Sequence, residues 1–351
     1  MRALIDSLTR REDLTPPQVA QAVTVLLDPA QDDAIKADFL HALRVKGETA
    51  AEIAAFVSAL VERAVDPEID ASILPGPMMD VCGTGGDRME LFNVSTTAMF
   101  LLAAGGAVIV KHGNRGITSK SGGADVLEAL GMRIEYPPAL LRECLAATGL
   151  GFIFAPAYHP SFKVIGPVRK ALAAQGVTTI FNLLGPLLNP ARPPFQLVGI
   201  FSEDLLPKYA EVLRLLGRQS AWAVHGASGP HGSRGVDELS TLGVNHYCAV
   251  LNGQVSSHTV DPELLGFRRS TIESLLGGDR AENARILTGI LSGQIHGPKR
   301  EVVILNAAAG FVVSGLKPDL AAGIAWAHEL LDNGAALAKL KALQEFSEAN
   351  P

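Results

Sequence analysis

The chain has 351 residues, 48% of them apolar, and a formal charge of −6. That length buries a large core and, at roughly 150 residues per domain, suggests about two domains. A net negative chain excludes broad nucleic-acid binding, which needs a basic face, so any anion site must be local.

Met1–Arg11 alternates charged and apolar residues without an apolar signal core or cleavage site, the pattern expected of a cytoplasmic protein. From there to about Ser72 the pattern is helical. Thr15 before Pro16 reads as an N-cap with proline in the first turn, and Gly47 stops a segment Gln31–Lys46. Thr49 with Glu52 forms a capping box that opens an apolar-striped helix through Val65, and Pro67, Pro75 and Pro77 punctuate the exit. Met1–Ser72 is thus a candidate helical domain.

From Met78 short apolar runs alternate with helical stretches, the form of a doubly wound α/β sheet with a central, mostly parallel sheet flanked by helices. The predicted strands are Met78–Val81, Ala107–Val110, Arg133–Tyr136, Gly151–Phe154, Phe195–Phe201 and Ala221–Val224. Helices are predicted around Ser95–Ala104, Ala124–Leu130, Pro138–Thr148 and Asp204–Leu216. Later helical segments include Ala281–Leu291, Ala307–Val313 and Leu320–Leu331, with a less sharply patterned stretch near His246–Val255. The longest apolar run, Ala98–Val110, holds Gly105-Gly106 and is shorter than the ~20 residues of a membrane span. Cys82, Cys144 and Cys248 form no CxxC pair and read as reduced thiols, Cys82 as a small packed residue.

Four clusters carry chemistry. Asp80–Asp87 is a glycine-rich turn directly after a strand, and Asn93, Val94, Ser95 and Thr96 open the next helix. Glycine amides and a helix start converge naturally on phosphate, although a merely tight strand–helix turn has the same look. Lys111–Asp125 places Lys111, Arg115, Lys120 and His112 among glycines and hydroxyls after a second strand. Such a run suits a polyphosphate, since a cation ~4 Å from a phosphate oxygen gains roughly 4 kcal/mol at an effective dielectric of about 20, before desolvation; a solvated basic loop is the bland alternative. The adjacent carboxylates Asp237 and Glu238 follow the glycine-rich stretch Gly226–Gly235 and offer the hard oxygens that magnesium prefers, though acidic pairs are usually just solvated. Around Ala155–Pro160 and Pro167–Lys170, Arg169 supplies a planar fork for an aromatic carboxylate, while His159 beside prolines by itself reads as structural.

GTGGD, NVST, KHGNR and SKSGGADVLEALG, in this order, resemble the pyrophosphate-sugar segments of the anthranilate phosphoribosyltransferase family. The likeness continues through Phe181–Ala191 to His225-Gly226 and Asp237-Glu238. It implies an α/β domain from residue 73 to 351 and a small all-helical domain, 1–72, completed by a segment near 165–190, with a homodimer formed through the helical part. It implies transfer of the phosphoribosyl group of phosphoribosyl pyrophosphate (PRPP) to the amine of anthranilate, in tryptophan biosynthesis. Implied PRPP contacts are Gly83, Gly86, Asp87, Asn93, Val94, Ser95, Thr96, Lys111, His112, Gly113, Asn114, Arg115, Ser119 and Gly123. Gly83, His112, Asn114, His159, Arg169 and Pro186 are the implied anthranilate contacts; Ser95, Asp237 and Glu238 would hold two magnesium ions. Lys111 adds electrostatic stabilisation, and no general base is assigned.

The chain departs from the family pattern at Arg88, Leu91, Gly123 and Thr178, and Ala171–Gln175 is lengthened. Two rivals are a nucleoside phosphorylase of the same fold, against which the acidic pair and the full KHGNR run favour the transferase, and a non-catalytic relative that binds nucleic acid, which the acidic composition opposes.

Overall fold

The computed structural model of the chain describes residues 1–86, 89–116, 120–228 and 235–351. Of the expected site, Asp87 and Ser119 lie outside these residues, as does Arg88. Seven strands form one sheet: β1 (Met78–Gly83), β2 (Val108–Gly113), β3 (Leu150–Phe154), β4 (Phe195–Gly199), β5 (Ser220–His225), β6 (Asn245–Leu251) and β7 (Gln254–Val260). Their order is β3-β2-β1-β4-β5-β6-β7, with the first five parallel and the last two antiparallel. The winding therefore reverses at β1, whose neighbours are β2 on one side and β4 on the other. Ligands of open α/β sheets bind at such a reversal, beyond the carboxyl ends of the strands.

Strand alternation divides the apolar side chains between two cores. Met79, Val81, Leu197, Trp222 and Ala249 face one core, filled by the nearly all-buried helices Val94–Ala104 and Pro298–Val313. Cys82, Val198, Ala221, Ala223, Cys248 and Val250 face the other, which also holds the N-terminal helices, Ile165–Leu188 and the helix Leu206–Leu215. The chain is a helical N-terminal part plus a large α/β part with a mostly parallel sheet flanked by helices.

The N-terminal helices start where their caps dictate. Thr15 precedes Pro16–Leu26, the Asp32 carboxylate accepts from Ala34 N–H at 2.9 Å before Asp33–Lys46, and Thr49 and Glu52 cap Ala50–Val61 reciprocally. This last helix ends at Val61 rather than Val65, because the Val65 N–H leaves the helix to donate to the Tyr158 carbonyl at 2.8 Å.

The expected strand Arg133–Tyr136 is irregular chain. It is tied instead to the C-terminal helix Ala335–Ala349: Arg133 N–H donates to Ser347 Oγ at 3.3 Å, and the Tyr136 hydroxyl lies 2.8 Å from the same oxygen. The stretch near His246–Val255 belongs to the β6–β7 hairpin. Its turn is Asn252-Gly253, both at positive φ (49° and 79°), the conformation that Asn-Gly turns favour. Among the described residues no helix is long and apolar enough to cross a membrane, and the three cysteines are free and buried.

Candidate active site

The β1 and β4 ends lie in register at Gly83 and Gly199. Asp237 rests on both: a Cβ at Gly83 would stand 2.8 Å from Asp237 Cγ, and one at Gly199 would overlap the Asp237 backbone. Glycine at these two positions is what lets the acidic pair sit directly over the sheet reversal. Gly226 and Val236 exchange backbone hydrogen bonds of 2.9 Å in each direction, which leads the chain into the pair. On its far side the buried Asn306 side chain accepts from Leu239 N–H at 3.0 Å and donates to the Leu239 carbonyl at 2.7 Å.

The two carboxylates meet the first two motifs. Gly85, at φ +67° where glycine is favoured, donates its N–H to Asp237 Oδ2 at 2.6 Å. Ser95 N–H, in the first turn of helix Val94–Ala104, donates to Glu238 Oε1 at 3.1 Å, so this carboxylate lies at the positive end of an 11-residue helix. Lys111, buried at the end of β2, donates from Nζ to Ser95 Oγ at 3.2 Å and to the Val81 carbonyl. Gly85, Ser95, Lys111, Asp237 and Glu238 are thus one contact chain. Asn93 is held by the Asn283 side chain, which donates to its Oδ1 at 2.9 Å. Thr96 and Lys111 flank Gly123, where a Cβ would stand 3.0 Å from Thr96 Oγ1 and 3.6 Å from Lys111 Cε.

Other motif residues have different occupations. Arg115 is engaged by Glu128 at 2.7 Å and stacks over Phe154, its guanidinium carbon 4.6 Å from the ring centre. Asn114 is exposed, with Oδ1 accepting from Arg115 N–H at 2.8 Å. The Asp125 carboxylate accepts from both Gly116 N–H (2.8 Å) and Gly122 N–H (2.7 Å), closing the loop on itself. Leu91 forms a backbone bridge to Leu276, and Gly277 N–H donates to the Glu90 carbonyl at 2.9 Å, so the first glycine loop is docked on the 275–278 segment.

Along β2 successive side chains point to opposite faces, so His112 faces away from the Lys111 cluster. Its ring meets His159 edge-on at 5.5 Å; His159 lies 5.0 Å from Phe162, Phe162 meets Phe181 at 5.8 Å, and Arg169 lies 4.9 Å over Phe181. This aromatic row unites three of the expected acceptor contacts, His112, His159 and Arg169. Phe162 and Phe181 stand between them. Burial pushes His112 down to about 3, with His159 and Lys111 adding to the effect and a backbone hydrogen bond with Gly185 opposing it. Burial also lowers His159, whose Nε2 lies 2.8 Å from the Leu188 carbonyl. Both rings are neutral, and His112 Nε2 is buried without a hydrogen-bond partner. Burial likewise depresses Arg169, which has no carboxylate partner among the described residues. A stacked, desolvated guanidinium of this kind is a receptor for a planar carboxylate.

Asp237, Glu238 and the Ser95 hydroxyl are hard oxygen donors and fit magnesium rather than a soft metal. No group of three His, Cys, Asp or Glu side chains able to hold a metal occurs among the described residues. Further ligands would then be substrate oxygens and water, the arrangement usual for magnesium with phosphates. Sequence reasoning missed Gly199, Asn283 and Asn306, which place the loops, and Asp125, which closes one. Only Asp125 carries a signal, as the third residue of a helix whose first turn follows paired glycines.

The fold and this pair of adjoining sites fit a transferase whose donor carries a diphosphate and whose acceptor carries a carboxylate. Residues 75–337 match the family described as "Glycosyl transferase family, a/b domain", and residues 2–64 match "Glycosyl transferase family, helical bundle domain". An anthranilate phosphoribosyltransferase of Anaeromyxobacter sp. (strain K) is 43% identical over 332 residues, 95% of this chain and 94% of that protein. The crystal structure of the Thermus thermophilus anthranilate phosphoribosyltransferase superposes with a TM-score of 0.88 at 37% identity, covering 98% of this chain and 99% of that one. The Saccharomyces cerevisiae enzyme in complex with PRPP and Mg superposes at 0.86 with 28% identity, covering 99% of both chains. The chain belongs to the anthranilate phosphoribosyltransferase family.

Proposed function

We propose that the chain transfers the phosphoribosyl group of PRPP to the amine of anthranilate, giving N-(5-phosphoribosyl)anthranilate and pyrophosphate, in tryptophan biosynthesis. One observation carries this reading: two glycine-bearing strand ends, at Gly85 and Lys111, converge through Ser95 on the Asp237-Glu238 pair at the sheet reversal. On the other face of β2 the next residue, His112, opens the row that ends on Arg169, so the two proposed substrate sides meet at one strand end.

Displacement at the anomeric carbon develops oxocarbenium character, so the leaving diphosphate must be well neutralised, and the protein's contribution is electrostatic and positional. Lys111 and the amides of the glycine loop would orient the diphosphate. Ser95, Asp237 and Glu238 would hold two magnesium ions, which supply Lewis-acid neutralisation of the leaving group when bound. Gly83, Gly86, Asp87, Asn93, Val94, Thr96, Gly113, Asn114, Arg115, Ser119 and Gly123 complete the proposed PRPP surface. On the acceptor side Arg169 would pair with the carboxylate of anthranilate, while Pro186, Gly83 and Asn114 bound the ring with the two histidines. An arylamine is largely unprotonated at neutral pH and attacks without a strong base.

The reading also includes a helical domain of residues 1–72 completed by a segment near 165–190, a homodimer through that part, and a cytoplasmic location. The N-terminal helices share one apolar cluster with Ile165–Leu188, in keeping with a helical domain completed by that segment, and the same cluster continues onto one face of the sheet. Anthranilate is fluorescent, so loss of its signal tests the activity. Loss only when PRPP and magnesium are both present is the expected result; turnover of thymidine or uridine with phosphate, and none of anthranilate, would move the chain to the nucleoside phosphorylases.

A further inference from the structure

The segment Gly185–Asn189 touches both pocket histidines from one side: its Gly185 backbone bonds to His112, and its Leu188 carbonyl takes His159 Nε2. Two fully buried side-chain amides tie the segment down, Gln196 from β4 and the segment's own Asn189. Gln196, on β4, donates from Nε2 to the Pro186 carbonyl at 2.7 Å and accepts the Nε–H of buried Arg218 at 3.1 Å. Asn189 donates from Nδ2 to Asp80 Oδ2 at 3.0 Å and to the Val110 carbonyl at 2.8 Å, while its Oδ1 accepts from Ala191 N–H at 3.0 Å. Asp80, wholly buried in β1, also accepts from the His112 N–H at 3.2 Å.

We infer that Gln196 and Asn189, anchored by Arg218 and Asp80, are positioning residues that set the acceptor wall and hence the affinity for anthranilate. The inference rests on the acceptor-side reading above. Four buried polar groups are expensive to keep in a core unless each is satisfied, and a satisfied network fixes its members in one arrangement. Here the fixed backbone atoms, the Pro186 carbonyl and the Ala191 N–H, flank Gly185 and Leu188, whose backbone holds His112 and His159. Gln196, Asn189 and Arg218 make no hydrogen bond to Lys111, Ser95 or Glu238, whereas the Lys111 cation acts on the buried Asp80 carboxylate, so the test is placed on Gln196 and not on Asp80.

The test is the KM for each substrate separately. Gln196→Glu keeps the volume and the contact to Arg218 but removes the donor to the Pro186 carbonyl; Gln196→Met removes both contacts. Each is expected to raise the KM for anthranilate about fivefold or more and to leave that for PRPP within about twofold, the size of one lost hydrogen bond. Arg218→Met leaves every segment contact in place and is expected to raise the anthranilate KM about twofold, provided that the chain folds. Leu213→Ala, a buried apolar truncation in the helix Leu206–Leu215, is the stability control and should leave the KM ratio unchanged. Equal shifts in both KM values for the Gln196 variants, or the same split in Leu213→Ala, would overturn the positioning role. Arg169→Ala measured alongside separates the failures: no rise in anthranilate KM there would sink the acceptor reading itself.

Discussion

The donor and acceptor sides of the site are built from different materials. On the proposed donor side, backbone amides at a strand end and a helix start set the places of Asp237 and Glu238, with glycines at Gly83 and Gly199 making room for Asp237. On the acceptor side they are side chains from separate segments, His112, His159, Phe162, Arg169 and Phe181, aligned by packing. A surface of backbone atoms is fixed by the local fold and tolerates little added volume. A surface of side chains depends on what stands behind it.

That contrast sets the order of expected effects. Asp237→Asn combined with Glu238→Gln should lower turnover about a hundredfold or more and raise the magnesium concentration needed for half-maximal rate; an unchanged metal titration contradicts the assigned role. Gly199→Ala forces a Cβ into the Asp237 backbone and should lower turnover roughly tenfold, a cost of overpacking, with the change falling on PRPP and metal rather than on anthranilate. Wild-type kinetics in that variant would mean that the acidic pair shifts freely. Arg169→Ala should raise the anthranilate KM about tenfold with little change for PRPP, and Arg169→Lys should recover only part, because an ammonium lacks the planar fork. A full recovery by lysine would show that charge alone is recognised.

The smallest effect concerns pH. His112 and His159 are held neutral by burial, below the ordinary histidine value of about 6.5. In the unfolded chain they take up protons as pH falls through that value, whereas the folded chain resists, so their contribution to stability is complete above about pH 6.5 and is lost on acidification, for His112 down toward about 3. His112→Asn should flatten the fall of the thermal midpoint across that window. An unaltered slope would show that His112 already protonates in the fold.

Legibility follows the same division. The donor side announces itself because local chain geometry demands particular residues: glycine at positive φ in Gly85, a hydroxyl in a first helical turn at Ser95, a cation at a strand end in Lys111. Caps such as Thr49 with Glu52 fix helix starts for the same local reason. The Asn252-Gly253 turn carries an equally local hairpin signal, one that the blurred patterning of His246–Val255 conceals. Arg133–Tyr136 misleads in the opposite way, since its strand-like composition cannot reveal that Ser347 takes its backbone. Phe162, Phe181, Gln196 and Asn306 are silent because their roles exist only once distant segments pack together.

On the proposed reading both strand ends grip one diphosphate and its metal beside the histidine row. A crystal structure with PRPP and magnesium tests it most directly. The expected result is diphosphate oxygens at about 3 Å from Lys111 Nζ, the metal on Asp237 and Glu238, and the ribose opening toward His112. A diphosphate bound away from Lys111, with the acidic pair bare of metal, would contradict it.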